Sequence, residues 1–499
     1  VHSPRCFLSR MGLFSKPGLF PWYARKPPGW SQLFLGSACK ENFTQVIAKK
    51  RQRGQKSQKK PRYLGPLDDS WQESNCSCFI DTAEVVCVIA YVLLQVKFEA
   101  QKKILQRLEF YLQGLNGVNM TTTGPRSQGL CCFLQPVIPS FSSCFINKST
   151  FFLNQGPGGN PKTVGHYLGT WRVDRDIVCV RSNRLKNIPE KHSQVAQYII
   201  FSQSPLGPCL LFHEGGYWRE LTVCTNSQGH TMAIIIFYPQ ELMQEELSVQ
   251  KEAVKEFFTK GPGAVCDLTS LYFQESTTTH CSHQQFLFGD PHIFEDLLGL
   301  KICMSPDAFF QVNTAGAEML YRTVGELRGV NSNTILLNVC CGTGKWQPRA
   351  ESACSLSPVL GIELVEQAAE DARWWHVDLS FAGITNCEFH PGQAEKILPQ
   401  LLKSKEDGQL IVAVVNPARA GLYYQVVQAN CNCGSIHTLV FASCKPHGET
   451  TRNIIENLYP EYSLKKLSCA VGKPFIPRQA VPMDLFPHSP HCELVLLFT

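Results

Sequence analysis

Several absences narrow what this chain can be. None of its 23 cysteines stands in a Cys-x-x-Cys spacing. Neither a zinc ribbon nor a regular disulfide framework is therefore indicated, and the odd number fits a reducing compartment. No stretch reaches the ~18 consecutive apolar residues that cross a bilayer. The strongest run, residues 85–94, has ten and reads as a buried element. Acids are missing from the first 40 residues. Residues 1–62 carry 14 Lys and Arg against Glu41 alone, while the other 437 carry 33 bases and 40 acids. The formal charge of +6 thus divides into +13 at the N-terminus and −7 in the body. The field of the body repels nucleic acid, so any such partner needs a local basic patch.

What is present begins with that N-terminus. VHSPRCFLSRMGLFSKPGLFPWYARK, rich in Arg, Ser and aromatics, has the composition of a mitochondrial transit peptide and predicts delivery to the mitochondrial matrix. The following AKKRQRGQKSQKKPR either continues the leader or forms a disordered basic arm for RNA phosphates. With 499 residues, 44% of them hydrophobic, the chain is a globular protein of two to four folding units. Four segments are predicted. Residues 1–62 are the leader or basic disordered segment, and 63–134 are helical, with Phe98, Ile104, Leu105, Leu108 and Leu112 at helical spacing over 97–113. Residues 135–300 read as an antiparallel α+β module of short strands, among them 149–153, 163–168 and a hairpin of 221–225 with 232–237 around Asn226 to Gly229. From 301 to 499, apolar runs at 334–337, 359–362, 411–415, 438–442 and 494–498 alternate with longer mixed segments. That pattern predicts an α/β, Rossmann-like domain with a mostly parallel sheet.

Such sheets hold ligands outside the carboxyl ends of their strands, so the residues after each run matter most. The first run is followed by Cys340, Cys341, Gly342, Thr343 and Gly344, a Gly-x-Gly turn that lets backbone approach a ligand. Glu363 ends the second run 19 residues after Gly344, near the ~20-residue offset at which an acid meets ribose hydroxyls. The pair points to an adenosine-containing cofactor; the alternative is a tight turn followed by a surface acid. Asn416 follows the third run, and Cys444, with Lys445 and His447 behind it, follows the fourth. Cations beside a cysteine favour the reactive thiolate. Glu493 opens the last run as a carboxylate able to take a proton.

The segments SPDAFFQVN (305–313), CGTG (341–344), NPARAG (416–421), SCKP (443–446) and DLFPHSPHCE (484–493) occur in one order along the chain. In that order and spacing they resemble the RNA 5-methyluridine methyltransferase family, in particular its mitochondrial tRNA-modifying branch. The resemblance runs from about residue 140 to the end. It implies an S-adenosylmethionine-dependent domain behind an RNA-binding module, acting on tRNA in its T-loop or on rRNA, with no DNA substrate; the family's iron-sulfur branch carries a cysteine cluster whose spacing this chain lacks, so no metal and no iron-sulfur cluster are expected. It implies that Cys444 attacks C6 of a uracil and that Glu493 later removes the C5 proton. It also implies that Gln311, Cys340, Gly342, Gly344, Glu363 and Asn416 line the cofactor and target site. The chain departs from the family at Asn416, where an Asp is usual, at Lys445 for an Asn, and at residues 345–349 (KWQPR), which add a cation beside a cationic cofactor. Those departures keep a second reading open, a catalytically silent protein that binds and folds tRNA on the same scaffold.

Between residues 145 and 200 the local charge is +5. Lys148, Lys162, Arg172, Arg181, Arg184 and Lys186, interleaved with Phe151, Phe152, Tyr167 and Trp171, form the candidate RNA surface. The alternative is a solvated sheet face over core aromatics.

Overall fold

The computed structural model describes residues 83–114, 129–140, 146–168, 178–181, 188–198, 204–209, 215–277, 284–329, 333–344, 357–381, 386–404, 409–419, 421–446, 453–454, 475–487, 489 and 491–499. They belong to one compact unit, Pro66–Thr499. The expected leader, residues 1–62, lies outside the described residues.

Helix α1 (Ala83–Gly114) is longer than the predicted 97–113 because it absorbs the apolar run 85–94. Its seat is a stripe of Lys97, Gln101, Leu105 and Leu108, all buried and spaced by one helical turn. The expectation that the run 85–94 is buried fails at its described end: Val92 is 54% exposed, because the helix buries a single stripe and turns this side outward. After α1 comes the two-residue strand β1 (Phe133–Leu134).

The segment that follows builds a seven-stranded sheet from β2 (Lys148–Asn154), β3 (Thr163–Leu168), β4 (Val178–Val180), β5 (Trp218–Thr225), β6 (Thr231–Phe237), β7 (Ser270–Glu275) and β8 (Gln285–Gly289), in the order β4-β3-β2-β5-β6-β7-β8. The predicted hairpin is β5 and β6; Asn226 Oδ1 accepts from the backbone N–H of Gln228 and His230, and Gly229 takes φ +87°. Among the described residues the pairing is antiparallel except for β6 and β7, which run parallel. The expectation of a purely antiparallel module is corrected there. Between these strands lies helix α3 (Gln244–Thr259), which follows the short α2 (Glu190–Gln197) and supplies the crossover that parallel strands need. Leu247, Val254 and Phe258 of α3 pack on Leu221, Val223, Ala233 and Ile235.

A short hairpin, β9 (Ile293–Leu297) and β10 (Leu300–Met304), leads to α4 (Thr314–Leu327). The second large sheet then forms from β11 (Thr334–Val339), β12 (Val359–Glu363), β13 (Cys387–Pro391), β14 (Leu410–Val415), β15 (Ile436–Ser443), β16 (Pro477–Met483) and β17 (Glu493–Phe498), with helices α5 (Glu366–Phe381), α6 (Ala394–Lys403) and α7 (Tyr424–Asn432) between strands. The order is β1-β16-β17-β15-β14-β11-β12-β13. β13-β12-β11-β14-β15 is parallel and Rossmann-like, as predicted; β17 inserts antiparallel to both β15 and β16.

Both faces of this sheet are covered, which is why its strands read as continuous apolar runs. Ile335, Leu337, Ile411 and Ala413 face the core shared with α1, α6 and α7, while the alternating Leu336, Val412 and Val414 face the core shared with α4. Met232, Ile234 and Tyr272 of the smaller sheet join that second core. The strand order reverses at β11, which lies between β12 and β14, and in such sheets the ligand crevice is outside the carboxyl ends of the strands at this point.

Candidate active site

The turn after β11 sits at that crevice. Cys340, Gly342 and Gly344 have φ of +62°, +56° and +73°. At Gly344 a Cβ would also stand 2.9 Å from the Phe389 ring, so only glycine fits without strain. At Gly342 the space beyond the backbone is open, with the Phe309 carbonyl about 4.0 Å from where a Cβ would be. The segment leading to Gln311 therefore comes within van der Waals reach of the glycine turn.

Glu363, at the end of β12, accepts from the Gly342 N–H at 2.8 Å and from the Val365 N–H at 3.0 Å. It is half-buried and braces the turn. Leu364 and Val365 beside it are exposed and offer an apolar ledge at the strand end. Cys340 is a poor thiolate: burial, with the charges of Glu363 and Glu395, pushes its thiol up to about 12. Asn416 is half-buried one strand away, its N–H bonded to the Val339 carbonyl at 3.3 Å. The cofactor residues named from the sequence thus gather on one rim. Residues 345–349, the departure after Gly344, lie outside the described residues.

Cys444 and Glu493 meet through strand direction. Ser443 of β15 pairs with Leu494 of β17 in antiparallel register, so the next pair outward is Cys444 with Glu493. The Cys444 thiol records the neighbouring carboxylate. Burial and the Glu493 charge raise the Cys444 thiol above its ordinary value, against a hydrogen bond and the charge of Arg419, which lower it. Glu493 is buried, and desolvation lifts its carboxyl to about 8. Tyr321 of α4 feels the same carboxylate: burial and then Glu493 raise its phenol. Sequence reasoning placed Lys445 and His447 as the cations for this thiol. The structure supplies Arg419 of the NPARAG segment, whose closeness no local pattern announces, whereas Lys445 is exposed and His447 lies outside the described residues.

Gln311 is buried, and its segment is stitched to the smaller sheet. Asn147, just ahead of β2, donates from its N–H to the Val312 carbonyl at 2.7 Å, and from Nδ2 to the Gln311 carbonyl at 2.7 Å and Thr314 Oγ1 at 3.0 Å. Asn313 caps α4 by accepting from the Gly316 N–H at 2.9 Å, while its Nδ2 donates to the Leu485 carbonyl at 3.2 Å. Neither asparagine was assigned a role from the sequence; each acts through tertiary contacts.

The basic residues of the smaller sheet are spread rather than gathered. Asn154 pairs with Thr163, so Lys148 and Lys162 lie at opposite ends of the β2–β3 pair, about seven residues or roughly 23 Å apart. Lys162 Nζ donates to the Ser204 carbonyl, and Arg181 is exposed at the end of β4. Arg172, Arg184 and Lys186 lie outside the described residues. Among the described residues no group of three or more His, Cys, Asp or Glu could hold a metal ion, and no helix is long and apolar enough to cross a membrane.

No family model matches the chain. It is 68% identical over 507 residues to the tRNA (uracil-5-)-methyltransferase homolog B of Homo sapiens, covering 100% of this chain and 98% of that protein. It is 46% identical to the homolog B of Danio rerio, covering 88% and 89%. Among solved structures, a Pyrococcus abyssi tRNA (uracil-54, C5)-methyltransferase in complex with S-adenosyl-L-homocysteine matches with a TM-score of 0.52 at 18% identity, over 82% of this chain and 83% of that one. At that identity the likeness is one of fold.

Proposed function

The chain belongs to the tRNA (uracil-5-)-methyltransferase family, and we propose that it methylates C5 of a tRNA uridine through a covalent bond between Cys444 Sγ and C6 of the base. The observation that carries this reading is the pairing of Cys444 with Glu493 at the edge that also holds the glycine turn and Glu363.

C5 of uracil is a weak nucleophile. When thiolate adds at C6, the C5–C6 double bond breaks and its electrons move onto the C4 carbonyl as an enolate, which activates C5. S-adenosylmethionine, when bound, supplies an electrophilic methyl. The residues fit that molecule: the Cβ-free turn at Gly342 leaves room for backbone contact, Glu363 presents a carboxylate for ribose hydroxyls, and Asn416 offers an amide. After C5 is methylated, Glu493 takes the C5 proton. The freed electron pair restores the C5–C6 double bond and expels Cys444 as thiolate.

The electrostatics set an order for these events. Two adjacent anions disfavour one another, so Cys444 ionises at least cost, beside the Arg419 guanidinium, while Glu493 keeps its proton. Once Sγ is spent in the C6 bond its charge is gone, and Glu493 can give its own proton to water before it takes the one at C5. The target uridine has to leave its stack to reach these groups.

The acid-free, Arg-rich start of the chain supports a mitochondrial matrix protein, with a T-loop uridine of mitochondrial tRNA as target and rRNA as a further substrate. Methyl transfer from labelled S-adenosylmethionine to unmodified mitochondrial tRNA and rRNA pools, followed by mapping of the modified position, tests the reading. Transfer that persists in Cys444→Ala overturns the nucleophile. The amide at Asn416, in place of a carboxylate near a sulfonium, favours the second reading of a silent tRNA-binding protein. Calorimetry with S-adenosylmethionine separates the two: absent cofactor binding with intact tRNA binding selects the silent protein.

A further inference from the structure

Lys97 lies in the stripe that seats α1, yet it is a charged side chain with 0% exposure. An apolar residue would seat a helix there without the desolvation that a buried ammonium costs. A buried charge persists only when paired and hydrogen-bonded, and the identity of its partners shows what its presence orders.

Lys97 Nζ donates to Asp484 Oδ1 and, at 2.9 Å, to the Phe486 carbonyl. Both acceptors lie in the segment 484–492 that leads into β17 and so to Glu493. The same segment is held twice more: the Asp484 N–H donates to the Ile138 carbonyl at 2.9 Å, and Asn313 Nδ2 reaches the Leu485 carbonyl at 3.2 Å. Three consecutive residues are thus gripped from three directions, with Lys97 on the outer two. The Phe486 carbonyl that Lys97 holds also accepts from Ser489 Oγ at 2.8 Å. The Lys97 charge reaches His491 and Cys492, the last residues before Glu493.

We propose that Lys97 is a positioning residue for methyl transfer: from a helix outside the sheet it fixes residues 484–486, and through them the Glu493 carboxylate against Cys444. This rests on the function proposed above and adds to it a dependence on α1, which precedes the portion of the chain that carries the family motifs.

The test uses the full chain as wild type, Lys97→Met and Lys97→Arg, read by methyl-transfer kinetics and by hydrogen exchange of the peptide spanning 484–493. Lys97→Met keeps the stem and loses the charge. Its kcat should fall about 10²-fold, the cost of a misplacement of order 1 Å. KM for tRNA and for S-adenosylmethionine should stay within about threefold, because binding groups are untouched. The ascending limb of its pH profile should shift, exchange should rise in 484–493 and remain unchanged in β11 and β14, and Lys97→Arg should restore most of the rate. Should Lys97→Met fail to fold, Asp484→Asn, which leaves an oxygen for the ammonium, is expected to show the same pattern more weakly. Wild-type kcat in folded Lys97→Met, or Lys97→Arg as slow as Lys97→Met, overturns the proposal. An inactive wild type would sink the function instead, and the exchange readout would still judge Lys97: unchanged protection of 484–493 in Lys97→Met removes the positioning role.

Discussion

The two large sheets handle polar side chains in opposite ways. In the eight-stranded sheet the strands are buried on both faces, and the chemistry is driven to the rim, where Cys340, Asn416 and Cys444 follow β11, β14 and β15, Glu363 ends β12 and Glu493 begins β17. In the seven-stranded sheet the described bases lie along and across strands, with Lys148 and Lys162 at opposite ends of one strand pair. Parallel topology concentrates function at one edge, whereas a mostly antiparallel sheet distributes it. Single substitutions should therefore be severe at the rim of the first sheet and graded on the second.

The largest effect should come from Cys444→Ala, which removes the covalent path. A loss of about 10⁴-fold or more in kcat, read by labelled methyl transfer, is the scale for deleting a nucleophile. Next comes Glu493→Gln, with a drop of roughly 10²- to 10⁴-fold for a lost general base. Because addition at C6 precedes proton removal, this variant should accumulate a denaturation-resistant protein–tRNA adduct, seen as a shifted band on a gel. If that band is also absent from Glu493→Gln, the order of steps drawn above is wrong.

The same substitution has a stability signature. The Glu493 carboxyl rises from an ordinary 4.5 to about 8 in the fold. Between those values the folded protein holds a proton that the unfolded chain has released, so stability falls as pH rises through that window. Glu493→Gln should therefore melt higher than wild type at about pH 9 and match it at about pH 4, where both states of the wild type carry the proton. Equal melting differences at both pH values would show that the carboxyl is not held protonated.

Glu363→Ala comes third at the rim. Loss of a charged hydrogen-bond acceptor of about 1.5–3 kcal/mol should raise KM for S-adenosylmethionine roughly 10- to 100-fold and leave that for tRNA unchanged. The smallest effects belong to the other sheet. Lys148→Ala should weaken tRNA binding modestly and lower the salt slope by just under one, as for one phosphate contact. Lys162→Ala should leave the slope unchanged, since its ammonium is spent on the Ser204 carbonyl. A salt slope that drops equally in both variants would mean that the Ser204 bond does not compete with RNA.

The contrast also explains what could be read along the chain. Strands that bury both faces appear as apolar runs, and β11, β12, β14, β15 and β17 fall on the five runs found from composition. The glycine turn, Glu363, Asn416 and Cys444 were legible because strand ends hold ligands in any such sheet. Arg419, Asn147, Asn313 and Lys97 were not. Arg419 meets Cys444 across a strand, Asn147 bonds residues more than 160 positions away, and Lys97 reaches Asp484 across 387. Lys97 even lay within the predicted helix, where a lysine reads as a solvated position.

By itself the amino-acid sequence determined the alternation of strand and helix, the residues at each strand end and the separation of a basic N-terminus from a mildly acidic body. These follow from local periodicity and from counting charge. The tertiary structure alone decided that β17 enters antiparallel beside β15 and so sets Glu493 against Cys444, that Arg419 is the cation at the thiol, and that a lysine of α1 holds the loop before Glu493. The reason is physical: strand direction and long-range pairing are set by how whole faces are buried, and no window of neighbouring residues contains that information.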